Sequence, residues 1–116
     1  MYYICSMRTM IRTADFDEFY NSLSANVQNK VKYAMSILAE VKVINTKLVK
    51  RLVDTDFYEL RISVGNEYRV ILFTIDHENF IEAEQMLLLN GFMKKSTKDY
   101  KKEIKKAEQI LKNLQQ

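Results

Sequence analysis

Apolar and polar residues alternate without a break from Tyr58 to Val64, so Tyr58, Leu60, Ile62 and Val64 share one face of a strand while Glu59, Arg61 and Ser63 share the other. The first face reads as core and the second as open. Gly65-Asn66 supplies a turn, and the run from Glu67 to Ile75 returns as a more apolar, central strand. A further turn around Asp76-His77-Glu78-Asn79 leads to a third strand of this group, which carries Met86-Leu87-Leu88-Leu89 and ends near Phe92. Upstream the spacing is that of helices. Asp15 and Glu18 form a capping-box-like pair, and Phe16, Phe19, Tyr20 and Leu23 recur at helical intervals. After Ser22-Leu23-Ser24, with Ser24 as N-cap, the residues Val27, Val31, Ala34, Met35, Leu38 and Val41 trace one face of a longer helix. The two helices read as a hairpin. Residues 2 to about 12, with Tyr2, Ile4, Met7, Met10 and Ile11, read as a first strand, whereas residues 45–56 read as polar and irregular. From about Asp99 the positions Tyr100, Ile104, Ala107, Leu111 and Leu114 make the stripe of a final helix. The predicted order is β-α-α-β-β-β-α. This is an α+β fold in which two N-terminal helices and a C-terminal helix cover one face of a small, mostly antiparallel sheet.

Composition narrows the class. With 116 residues, no proline and two glycines (Gly65 and Gly91), the chain reads as one domain over residues 1–116 without a linker, a repeat or a low-complexity stretch. The start, Met1-Tyr2-Tyr3-Ile4-Cys5-Ser6, lacks the basic and long apolar regions of a signal peptide, and no apolar run approaches the ~18–20 residues of a membrane span. A cytoplasmic protein with no membrane partner is expected. The single cysteine, Cys5, excludes an internal disulfide and a thiolate zinc cage and reads as a packing residue, and no cofactor or metal is expected.

The net charge of +3 is mild, but its distribution is not. Lysines 94, 95, 98, 101, 102, 105, 106 and 112 face only Asp99, Glu103 and Glu108 in the same stretch, while Asp76, Glu78, Glu82 and Glu84 lie just before it. Such a surface is polarised, and suits a polyanion or an acidic partner as well as plain solvation. Within it, Gly91-Phe92-Met93-Lys94-Lys95-Ser96-Thr97 delivers paired lysines at a strand end that opens into a helix. Ammonium groups and helix N-terminal N–H donors together suit a phosphate, although a solvated turn has the same pattern. The sole histidine, His77, lies in the acidic turn without a basic or nucleophilic neighbour and reads as a surface loop residue, which argues against histidine-based ribonuclease chemistry.

The Tyr58-to-Arg61 strand, the Tyr68-Arg69 pair one hairpin later, the Leu88-to-Thr97 segment and a helix that runs Lys101-Lys102-Glu103-Ile104-Lys105-Lys106-Ala107 together resemble RelE/ParE-superfamily toxins. The HigB or phage Gp49-like branch is the nearest in pattern, over residues 15 to 112. The resemblance implies a RelE-like fold and the toxin of a type II toxin–antitoxin pair. It further implies a ribosome-dependent mRNA endoribonuclease that cuts messages in the A site, a helix-turn-helix antitoxin as partner, and contact with operator DNA only through that antitoxin. Metal-free cleavage needs a base for the ribose 2'-OH, cations for the phosphate and an acid for the leaving oxygen. By resemblance Arg69 holds the scissile phosphate and Arg61 is its second ligand, against the alternatives that Arg69 pairs with Glu59 or Glu67 across a hairpin and that Arg61 makes a sheet-surface salt bridge. Lys94 or Lys95 is a candidate acid, since crowding by cations lowers a lysine pKa. Tyr100 matches a tyrosine that stacks or assists proton transfer, against core packing on the helix stripe. Lys47, Lys50, Arg51 and Lys98 are expected to add RNA contacts. Glu59 stands where RelE carries a lysine, and Asn90 stands near the place of a histidine in some HigB-like toxins, so the general base is unassigned.

The hairpin supplies a geometric test. A two-residue loop, Gly65-Asn66, puts Arg61 and Arg69 on opposite faces, whereas a loop that includes Glu67 sets Arg69 across from Ser63, on the face of Arg61. The second arrangement is expected, with Leu60 and Ile62 aligned with Leu72 and Val70 under the helices. As an exposed sheet arginine, Arg69 is expected to be removable without loss of folding. A ParE-like gyrase poison, and an inactive phage-derived relative that only binds antitoxin or RNA, are the competing readings.

Overall fold

The computed structural model describes residues 8–115, so the strand expected from residue 2, with Tyr2, Ile4 and Met7, and the packing role of Cys5 lie outside the described residues. The elements run β1 (Thr9–Arg12), α1 (Ala14–Asn21), α2 (Ala25–Glu40), β2 (Val49–Arg51), β3 (Phe57–Val64), β4 (Asn66–Thr74), β5 (Gln85–Lys94) and α3 (Thr97–Leu114). The chain is an α+β protein with a mixed sheet ordered β1-β5-β4-β3-β2, in which β1 runs parallel to β5 and the other neighbours are antiparallel.

Two differences from the sequence pattern stand out. β2 lies inside the segment read as irregular: Val49 is buried opposite Leu60, while Lys50 and Arg51 stay exposed. Three residues are too few for alternation to show. The second difference matters more for function, because the helices do not share one face. Phe16 of α1 and Val27, Val31, Ala34 and Leu38 of α2 pack on Leu60, Ile62, Val70, Leu72, Met86 and Leu88, whereas α3 lies with Ile71, Leu87, Leu89 and Phe92 on the other face. β4 and β5 are apolar on both faces because both are covered. The stripe of α3, with Ala107 buried and Tyr100, Ile104 and Leu111 packed beside it, supplies the second cover. Leu114 stays exposed.

Local signals set the helix ends. Thr13, not Asp15, is the N-cap of α1: its Oγ1 accepts from the Phe16 N–H at 3.0 Å and donates to the Leu89 carbonyl at 2.6 Å, which ties the helix start to β5. Ser24 holds the expected N-cap position of α2, although its side chain makes no capping hydrogen bond. The far end of α2 has no basic residue in its last turn, and the buried Arg8 supplies one from a distance by donating to the carbonyls of Leu38, Val41 and Lys42. A backbone irregularity between Ile71 and Leu72 shifts the register with β5. Gly91 is required by contact: a Cβ there would collide with the Phe19 ring of α1.

Candidate functional site

Gly65 alone separates β3 from β4, with φ of +72°, a left-handed conformation that favours glycine. The reversal is therefore tighter than either loop considered from the sequence. It pairs Arg61 directly with Arg69, Ser63 with Glu67 and Leu60 with Val70, instead of Ser63 with Arg69 and Leu60 with Leu72. Arg61 and Arg69 still share a face, because the register moves by two residues and pleat parity is kept. β5 extends these rows, with Phe92 next to Arg69, Lys94 next to Glu67 and Asn90 next to Ile71. Glu59, Arg61, Arg69, Glu67 and Lys94 thus project toward α3 from three adjacent strands.

Arg69 is not an exposed sheet arginine. It is only 2% exposed, because α3 crosses it and brings in Tyr100. Its Nε donates to Tyr100 Oη at 2.9 Å and lies 2.9 Å from Glu59 Oε1, and its Nη1 donates to Glu67 Oε1 at 3.2 Å and to the Tyr68 carbonyl at 3.0 Å. Tyr100 Oη donates in turn to Glu59 Oε1 at 2.7 Å, which closes a triad of Arg69, Glu59 and Tyr100. The tyrosine ring meets Phe92 edge-on at 5.5 Å and carries the Lys94 ammonium 5.8 Å from its centroid. The ring of Tyr100 packs against the apolar cluster, the core-packing role weighed from the sequence, while its hydroxyl sits between a cation and a carboxylate.

The electrostatics follow from these contacts. Burial opposes the Arg69 cation, yet the bonds to Tyr100 and Glu67 and the charge of Glu59 outweigh it and raise its pKa. Burial also raises the Tyr100 phenol, helped by its bond to Glu59, so the hydroxyl stays protonated at neutral pH and acts as a donor. Glu67 is held below the usual carboxylate range by the Ser63 hydroxyl, by its bond to Arg69 and by the charges of Arg69 and Arg61.

The lysine pair divides. Lys94 is partly buried at the end of β5 on the arginine face, whereas Lys95 is exposed beyond the strand. Two N–H donors just before the helix are taken: the Asp99 carboxylate accepts from the Lys95 N–H at 2.7 Å and from the Ser96 N–H at 2.8 Å. α3 thus begins at Thr97 with its own capping acid, and its N-terminus does not present those two N–H groups to a ligand. Lys50 is exposed and pairs in register with Glu59, on the arginine face. Arg51 belongs to the opposite face, its guanidinium 5.8 Å from the Tyr58 ring centroid and bonded to the Thr55 carbonyl. Lys47 is exposed in the turn before β2 and Lys98 in the first turn of α3. His77 is an exposed loop residue whose Nδ1 accepts from the Asn79 N–H.

In the sequence Ser63 entered only as a register partner and Glu67 only as an ion-pair alternative, yet the Ser63 hydroxyl donates to Glu67 Oε2 at 2.5 Å beside the two arginines. Their alternation with Arg61 and Arg69 was the available signal. Asn90 is buried, with its Nδ2 donating to the Glu103 carbonyl and side chain and its Oδ1 without a partner among the described residues. It anchors α3 one row away from the arginines.

A family model described as Phage derived protein Gp49-like (DUF891) matches residues 18–112, a span that includes β2 to β5 and α3 as far as Lys112. No curated protein matches the chain.

Proposed function

Because the chain belongs to the phage-derived Gp49-like family, which is related to RelE/ParE-type toxins and associated with toxin–antitoxin systems, we propose that it is a type II toxin that cleaves mRNA on the ribosome. In this reading residues 1–116 form one RelE-like toxin domain of the HigB or Gp49-like branch, acting in the cytoplasm and neutralised by a helix-turn-helix antitoxin. The observation that carries it is the direct pairing of Arg61 with Arg69 on a sheet face that also presents Glu59 and Lys94 and receives Tyr100 from α3. Two guanidinium groups on one face suit a phosphate whose charge grows in the transition state.

The reaction is attack of a ribose 2'-OH on the neighbouring phosphorus. The O2'–P bond forms, the P–O5' bond breaks, and the products are a 2',3'-cyclic phosphate and a 5'-hydroxyl. Arg61 and Arg69 hold the phosphate oxygens, and Lys94, with Lys95 as the alternative, gives a proton to the departing O5'. Glu59 is the carboxylate able to take the 2'-OH proton, with Tyr100 orienting it. Lys47, Lys50 and Lys98 bind flanking RNA in this scheme, and Arg51 binds from the other side of the sheet.

One observation favours a second reading. Nε and Nη1 of Arg69 are occupied by protein groups, as in a purely structural ion pair, and a toxin that acts by binding, such as a ParE-like gyrase poison or an inactive relative, needs no free cation there. Expression without antitoxin, followed by mapping of mRNA 5' ends, separates them. Translation-dependent, codon-phased cuts support the nuclease; an SOS response with intact mRNA refutes it in favour of the poison.

A further inference from the structure

We infer that the Glu67 carboxylate occupies the oxyanion position of the proposed site, and that Ser63 is a further phosphate ligand released when Glu67 swings out. The inference rests on the phosphate-site reading above and names the group that now fills that site. Glu67 places one oxygen on the Ser63 hydroxyl at 2.5 Å and the other on Arg69 Nη1 at 3.2 Å, while Arg61 stands next to it and Lys94 is its register partner on β5. A planar carboxylate held through two oxygens by a hydroxyl and a guanidinium copies the way two non-bridging phosphate oxygens would be held.

The two carboxylates on Arg69 differ in freedom. Glu59 is 7% exposed at its side chain and accepts from Tyr100, so it is fixed; Glu67 is 49% exposed and can rotate into water without leaving a buried charge. Its departure frees Arg69 Nη1 and Ser63 Oγ. These join Arg69 Nη2 and the Arg61 guanidinium, which have no hydrogen-bond partner among the described residues. Three cations, Arg61, Arg69 and Lys94, then face one carboxylate instead of two. The ligand class is a phosphate or phosphodiester oxyanion, admitted in competition with an acidic side chain of the protein itself.

Glu67 is exposed, so its replacement spares the fold and the test reads binding directly. Inorganic sulfate, whose charge is constant from mildly acid to neutral pH, is titrated into wild type, Glu67→Gln and Glu67→Ala, followed by the NMR shift of the Arg69 Nε–H. Both variants should bind sulfate about tenfold more tightly than wild type at neutral pH. Ser63→Ala or Arg61→Ala added to Glu67→Ala should reverse most of the gain. Wild type should approach the variants as pH falls and Glu67 takes a proton. The groups around Glu67 and the guanidinium it holds are Ser63, Arg61 and Glu59 from β3, Arg69 from β4, Lys94 from β5 and Tyr100 from α3; the Glu67→Gln and Glu67→Ala titrations carry any pH effect of all the others, so only convergence of wild type on those two curves is assigned to Glu67. Equal affinity in all three proteins, or a gain that survives loss of both Ser63 and Arg61, overturns the inference. Cleavage is scored separately: tighter sulfate binding without any mRNA cleavage defeats the nuclease reading alone, and cleavage with unchanged sulfate affinity defeats the displacement inference alone.

Discussion

Replacing Arg69 with alanine takes a cation out of a nearly dry setting, and the size of the effect can be worked from its neighbours. The side chains of Arg69 and Glu59 are 2% and 7% exposed and 2.9 Å apart, so loss of the guanidinium leaves the Glu59 carboxylate buried with the Tyr100 hydroxyl as its side-chain donor. Breaking a buried pair from one side costs about 3–5 kcal/mol, a large share of the ~5–15 kcal/mol that holds a domain together. In a chain of this length that corresponds to a fall in Tm of roughly 10–20 °C. Removing both charges should cost much less: Arg69→Met with Glu59→Gln should lose about 1–2 kcal/mol, mainly from imperfect bonding at Tyr100. Urea denaturation of wild type, both single variants and the double variant supplies the cycle, and a coupling of about 2 kcal/mol or more is expected. A single Arg69→Ala variant within about 1 kcal/mol of wild type would refute the reasoning, as would a double variant equal to the sum of the singles. The practical consequence is that lost growth arrest in Arg69→Ala cannot by itself assign a chemical role. Substitutions of Glu67, which bonds the same guanidinium from the exposed side, and of Ser63, which bonds Glu67, are the better probes.

Tyr100→Phe keeps the ring and removes the bridge to Arg69 and Glu59; it should cost about 1–2 kcal/mol in urea denaturation while strongly reducing mRNA cleavage, and full cleavage would exclude the hydroxyl from catalysis. Gly91→Ala drives a methyl into the Phe19 ring and should destabilise by about 1–3 kcal/mol, with Phe19→Leu giving partial rescue; an unchanged Tm would show that α1 yields without cost. Glu67 is held below the usual carboxylate range by Ser63 and Arg69, Asp99 by the N–H groups of Lys95 and Ser96, and Asp76 by the N–H groups of Gln85 and Glu84. The folded chain then binds fewer protons than the unfolded one, so this stabilisation is complete above the unfolded carboxylate pKa of about 4 and is lost as pH falls through the lower folded values. Tm should be level from neutral pH to about 5 and drop below about 4; a Tm that rises on acidification contradicts the assignment.

The alternation from Tyr58 to Val64 carried the two faces of β3, and the parity of the hairpin carried the shared face of the arginines. Both are consequences of a period-two backbone, which local sequence expresses directly. The placement of α3 is a long-range outcome. Its stripe demands burial, but nothing within Tyr100, Ile104 and Ala107 says which side of the sheet provides it; that depends on Ile71, Leu87 and Leu89 being apolar at positions also compatible with a central strand. Arg69 was misjudged as exposed for the same reason. Arg8 at the end of α2 was illegible because the carbonyls it serves lie some thirty residues away and carry no side-chain signature. The Asp99 cap was present in the sequence as Ser96 followed three residues later by an acid, and its effect on the lysine pair needed the observation that one carboxylate takes both N–H groups.

The single hairpin β3–β4 holds Glu59, Arg61, Glu67 and Arg69 within a few residues of one tight turn. β1 closes on β5 through parallel pairing of Thr9–Arg12 with Gln85–Leu88, contacts separated by most of the chain and slow to form, whereas the hairpin is local and quick. Two arginines set side by side would repel one another in a young hairpin waiting for its remaining strands. Here each arrives with an acid on the same ribbon, so the segment brings its own counterions and can pair before α3 and Tyr100 reach it. The carboxylates that complicate the grip on an external anion are, on this view, what lets a like-charged pair be laid down early in folding.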